Sequence, residues 1–111
     1  MTTITVKRSE SGTYREFYCM GHAGSRHFFF EKDMICAAVS VLVINTVNSL
    51  ETLAKEQLHV TQNQADGFLR CEFTEELSEK GCLLMDSMIL GLQGIVKQYG
   101  NKYLQVNIEE V

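Results

Sequence analysis

Proline is absent from this chain of 111 residues, and basic residues are few: ten Lys and Arg stand against fourteen Asp and Glu, a formal net charge of −4. With no proline, no low-complexity stretch and no internal repeat, nothing reads as a linker between domains. The length suits one domain with a real core, so a single domain over residues 1–111 is expected. Few and scattered basic residues argue against direct nucleic-acid binding, which needs Lys and Arg set against phosphates. Long apolar runs are missing too. The longest, Ala37 to Ile44, is interrupted by Ser40 and ends at Asn45, so no membrane span is expected. Met1-Thr2-Thr3-Ile4 lacks the charged and apolar regions of a signal peptide, and the expected location is cytoplasmic.

Cysteine is present without a framework. Cys19, Cys36, Cys71 and Cys82 are widely spread, and free thiols are the expectation. No Cys-x-x-Cys occurs, which disfavours a redox protein. Cys19, His22, His27 and Cys36 lie close in sequence, but an odd spacing sends Cys19 and His22 to opposite faces of a regular strand. No metal and no organic cofactor are expected.

What the chain does have is alternation and helical periodicity. Ile4 and Val6 alternate in a first strand from Thr2 to Lys7, and Ser9-Glu10-Ser11-Gly12 supplies a turn. A second strand runs from about Thr13 to Gly21, with Phe17 and Cys19 on one face. Asp33 reads as the N-cap of a first helix in which Ile35, Val39, Leu42, Thr46, Leu50 and Leu53 recur at helical spacing. Gln57–Asn63 and Gly67–Phe73 read as strands joined through Asp66-Gly67, with Leu69, Cys71 and Phe73 sharing a face. Thr74 reads as the cap of a second helix with Glu75 and Glu76 near its positive end. Its stripe is Leu77, Leu84, Met88, Leu92, Ile95 and Tyr99, and Gly100 is its stop. Leu104, Val106 and Ile108 alternate in a last strand. The order β-β-α-β-β-α-β predicts an α+β fold, with two helices packed on one face of a mixed or antiparallel sheet.

Chemistry concentrates between the second strand and the first helix. Gly21-His22-Ala23-Gly24 ends the strand, and Cys36 falls in what the pattern makes the first helical turn. A helix N-terminus favours the thiolate, and an adjacent imidazole can take the thiol proton and return it to a leaving group. A lone cysteine is more often a buried apolar residue. Asp33 has a full role as a cap, Ser40 sits one turn beyond Cys36, and His27 and His59 have no supporting context.

Gly21-His22-Ala23-Gly24 followed by Asp33 and Ile35-Cys36-Ala37-Ala38-Val39-Ser40 resembles the ribosomal-processing cysteine protease family, Prp. The continuation Val41 to Glu51 is similar to the same family. The resemblance implies a cysteine endopeptidase that removes a short N-terminal extension from a large-subunit ribosomal protein precursor, cutting after an aromatic residue. It implies Cys36 as nucleophile, His22 as general base, and Gly21, Asp33 and Ser40 in supporting positions. It also implies a homodimer with the ribosomal protein precursor as its peptide substrate. The chain departs from the family where a glycine-containing mobile loop is usual. Here Ser25 to Lys32 has no glycine and three consecutive aromatics, Phe28, Phe29 and Phe30. With Gly24 as hinge, that segment is expected to close over substrate, and Gly24 and the three rings are candidate substrate-binding residues. The alternative from another class is a non-enzymatic module that binds ribosomal protein or ribosome precursor.

Overall fold

The structure is a computed structural model and describes residues 1–21 and 30–111, with only the backbone of Phe30. Its elements are β1 (Thr2–Arg8), β2 (Tyr14–Met20), α1 (Phe30–Thr52), β3 (Leu58–Asn63), β4 (Phe68–Phe73), α2 (Glu79–Tyr99) and β5 (Leu104–Glu110). The strands form one sheet in the order β3-β4-β2-β1-β5. Three of its pairings are antiparallel, and β1 with β5 is parallel, so the sheet is mixed. The expected order and two-layer α+β class are found.

Alternation decides which strand residues enter the core. Ile4, Val6 and Phe17 are fully buried, as is Cys71 on β4, and Cys19, Leu69 and Phe73 pack against them. From above, α1 presents Ile35, Val39, Val43, Val47 and Leu50, and α2 presents Met85, Met88, Ile89 and Leu92. Each such side chain contributes about 1.5–3 kcal/mol by leaving water. Gly91 brings the helices together: a methyl there would sit 3.2 Å from Leu42 Cδ1. The opposite face of the sheet is polar. Glu16 accepts from Arg70 at 2.7 and 3.0 Å and lies 3.5 Å from Lys7.

Several boundaries differ from expectation. The first helix is already formed at Phe30, so Asp33 lies inside its first turn and is not the N-cap. Cys36 consequently sits in the second turn, not the first. Phe30, Glu31 and Lys32 of the expected lid belong to the helix backbone, and Gly24, Phe28 and Phe29 lie outside the described residues. Leu53 follows the helix end and is 68% exposed, whereas Val43 and Val47 join the buried stripe. The second helix begins four residues late. Ser78 is its N-cap, its hydroxyl accepting from Gly81 N at 3.2 Å, while Thr74 instead donates both N–H and Oγ1 to the Gln57 carbonyl. Leu77 therefore precedes the helix, though buried, and Tyr99 is exposed. The stop at Gly100 is found, with φ of 82° and its N–H on the Val96 carbonyl.

Sequence interruptions also understated α1. By length and composition Glu31–Thr52 could cross a bilayer, with mean hydropathy 1.6. Here its stripe from Ile35 to Leu50 is seated on the sheet and α2 as part of the core.

Candidate functional site

Between the first half of α1 and the ends of β2, β3 and β4 lies an open cleft of about 200 Å³. Its upper wall is one helical stripe, Cys36, Val39, Ser40, Val43 and Ile44. These residues stand at i, i+3, i+4, i+7 and i+8, the spacing that puts side chains on one face. The floor is a cross-strand row. Cys19 on β2 pairs with Leu69 on β4, and Leu69 pairs with Gln62 on the edge strand β3. Thr2 and Gly21 close one end, and Gln64, Gly67 and Phe68 of the β3–β4 hairpin close the other. The wall is mainly apolar, and its side-chain donors belong to Thr2, Ser40, Gln62 and Gln64.

Gly21 shapes the lip. Its φ is +89°, and a side chain there would overlap the Met1 carbonyl oxygen. Only glycine meets both conditions without strain. The backbone thus turns out of β2 one residue before His22.

Of the residues expected at the site, Gly21, Cys36 and Ser40 come together on this cleft. Asp33 is half-buried one turn before Cys36 but does not line it. His22 lies outside the described residues, as does His27. Among the described residues no group of three or more His, Cys, Asp or Glu could hold a metal ion.

The earlier start of α1 puts Cys36 in its second turn. Helix-end effects fade within the first turn, and an amide seven residues into the helix is committed to its own hydrogen-bond ladder.

Sequence reading missed Cys19 as a site residue, giving it only a structural role. Its thiol is pushed up to about 11, first by burial and then by the nearby Cys36. The signal was available: Cys19 shares strand parity with Phe17 and so points toward the helix layer. Gln62 and Gln64 were missed too, and nothing local in a hairpin end announces them.

A family model described as cysteine protease Prp matches residues 1–105. A Bacillus subtilis relative named ribosomal processing cysteine protease Prp is 30% identical over 105 residues, covering 89% of this chain and 90% of its own. A Staphylococcus aureus relative of the same name is 22% identical over 96% of this chain and 98% of its own. Among solved structures, the S. aureus Prp protease in complex with a substrate peptide has a TM-score of 0.87 at 21% identity, covering 98% of this chain and all of the other. A Streptococcus mutans protein also has a TM-score of 0.87, at 28% identity, with 100% and 96% covered.

Proposed function

Because the chain belongs to the Prp family of cysteine proteases, we propose that it is an endopeptidase with Cys36 as nucleophile and His22 as general base. Its substrate is a large-subunit ribosomal protein precursor, from which it removes a short N-terminal extension by cutting after an aromatic residue. The observation that carries this reading is Cys36 on an open, mainly apolar cleft that can receive a large side chain beside the thiol. The names of the B. subtilis and S. aureus relatives supply the ribosomal substrate class.

In the mechanism His22 accepts the Cys36 proton, and the thiolate attacks the scissile carbonyl to give a tetrahedral oxyanion. His22 then protonates the departing amine, and water hydrolyses the thioester. The oxyanion requires donors, and the side chains able to serve from the cleft wall are the Gln62 and Gln64 amides and the Thr2 and Ser40 hydroxyls. Gly21 supports His22 by fixing the turn from which it leaves the strand. Asp33 orders the start of the helix that carries Cys36. Gly24, Phe28, Phe29 and Phe30 contribute to binding the substrate's aromatic residues. The enzyme works in the cytoplasm as a homodimer, a reading supported by Val41 and Ile44, which α1 turns to solvent at 67% and 49% exposure.

The test is incubation with a precursor peptide containing paired aromatic residues, with and without prior alkylation. Cleavage C-terminal to the aromatic, lost on alkylation of Cys36, is the expected result. Undiminished cleavage after complete alkylation overturns the assignment. If His22 is the base, kcat/KM rises with pH through an ionisation that His22→Ala removes.

A further inference from the structure

We propose that Cys19 of β2 and Cys36 of α1, which line the same cleft, form a reversible oxidation site at which a peroxide converts the pair to a disulfide. The inference rests on the reading of Cys36 as a reactive thiol, and it adds a second, chemically distinct use of the same cleft.

Two observations bring the two side chains to one cleft. Strand alternation turns Cys19 toward the helix layer, and the stripe on α1 turns Cys36 toward the sheet, so both line the same cleft. Cys36 also lies near enough to add to burial in holding the Cys19 thiol high. The cleft opens to solvent and admits an oxidant the size of hydrogen peroxide. The other two cysteines are elsewhere: Cys71 is fully buried in the core, and Cys82 lies on α2 with its thiol against the Leu77 carbonyl.

The roles are unequal. Cys19 rests as a protonated thiol and does not compete with Cys36 for a substrate carbonyl. A Cys36 thiolate attacks one peroxide oxygen: an S–O bond forms, the O–O bond breaks, and hydroxide leaves. Cys36 becomes a sulfenic acid while the peroxide is reduced. The Cys19 sulfur then attacks the Cys36 sulfur. The S–S bond forms, the S–O bond breaks, and the oxygen departs as water with the Cys19 proton. A dithiol reverses the pair to two thiols by exchange. The disulfide blocks the nucleophile and spares it from irreversible oxidation to sulfinic and sulfonic acids. A bridge of this kind also requires Cα atoms within about 7 Å.

The experiment exposes the reduced protein to hydrogen peroxide and follows intact mass, peptide linkage and cleavage of the aromatic precursor peptide. The wild type is expected to lose two hydrogens, to yield a linked peptide containing Cys19 and Cys36, and to regain its starting activity with dithiothreitol. Cys19→Ser and Cys19→Ala, each compared with its own reduced activity, should instead gain two or three oxygens at Cys36. Their recoverable fraction should be at least ~tenfold smaller. Both variants are checked by thermal melting. Equal, unrecoverable loss in wild type and variants, or linkage of Cys36 to Cys82 or to another chain, overturns the proposal. Iodoacetamide labelling of Cys36 and peptide cleavage before oxidation test the protease reading separately. A protein that labels and forms the Cys19–Cys36 link yet cleaves nothing fails only that reading.

Discussion

The two helices lie side by side on one sheet, yet they are built differently. α2 carries its instructions at its ends, with Ser78 capping the start and Gly100 the stop, and its buried residues Met85, Met88, Ile89 and Leu92 form one stripe. α1 is apolar on more than one side. Its core stripe runs from Ile35 to Leu50; the cleft shares Val39 and Val43 with that stripe and adds Cys36, Ser40 and Ile44, and Val41 is exposed. Exposed apolar residues do not separate the two, since α2 turns Leu83 and Leu90 to solvent at 67% and 72%; what separates them is that only α1 of the pair lines the cleft. The difference teaches that both helices build the core while α1 alone of the two also borders the candidate site.

The widest separation should come from paired substitutions. Cys36→Ser on α1 should lower peptide cleavage about a thousandfold or more with an unchanged melting curve, because an alkoxide is far harder to form than a thiolate. Met85→Ala on α2 should do the reverse. It empties a fully buried site and should cost about 2–5 kcal/mol in urea unfolding, with cleavage per folded molecule unchanged. Cleavage by Cys36→Ser at near wild-type rate would erase the division of labour.

Next in size is Gly21→Ala. A methyl at this left-handed position collides with the Met1 carbonyl, so a loss of about 1–3 kcal/mol is expected together with a larger relative loss of kcat/KM. Equal losses would make Gly21 a folding residue alone.

Smaller still is the contribution of the α2 cap. Ser78→Ala should destabilise by ~1 kcal/mol, whereas Thr74→Ala should fall within about ±0.5 kcal/mol, both leaving cleavage intact. Thermal melts of the two variants locate the true start of the helix.

The finest test is alkaline. Tyr14 donates to Asp86 of α2, and burial, then Asp86, pushes its phenol up to about 12 from 10.0. A pKa raised by folding means the native state holds the proton more tightly. The stabilisation is complete below pH 10 and is lost as pH rises toward 12. Tyr14→Phe should therefore be less stable at neutral pH and lose less stability over that interval. Identical alkaline slopes would remove Tyr14 from the link between β2 and α2.

The two helices also explain what was legible in the sequence. Strand alternation at Ile4, Val6, Phe17 and Cys71 could be read because each residue has one buried face to satisfy. Gly100 could be read because its conformation suits almost no other residue. The starts of both helices misled because Asp and Thr make good caps wherever they fall, and at α2 tertiary partners choose between Thr74 and Ser78. Thr74 was taken by the Gln57 carbonyl of the strand connection, and the Glu56 carboxylate accepts from Ser78 N at 3.0 Å, fixing the later start. At the site, the motif around Cys36 was visible as a local pattern. Cys19, Leu69 and Gln62 reach the cleft through pairing across three strands, and no local spacing records that.

The parallel pairing of β1 with β5 has a temporal side. Thr2, on the lip of the cleft, pairs with Leu104 and donates its N–H to the Tyr103 carbonyl at 2.9 Å. A contact between such distant parts of the chain forms late and cannot form until the ribosome has released both. Gly21 in turn is shaped by the Met1 carbonyl at the head of that strand. The lip of the cleft thus leans on β5 through β1, so a substitution that loosens β5 should be felt at Thr2 and Gly21, far from it in sequence.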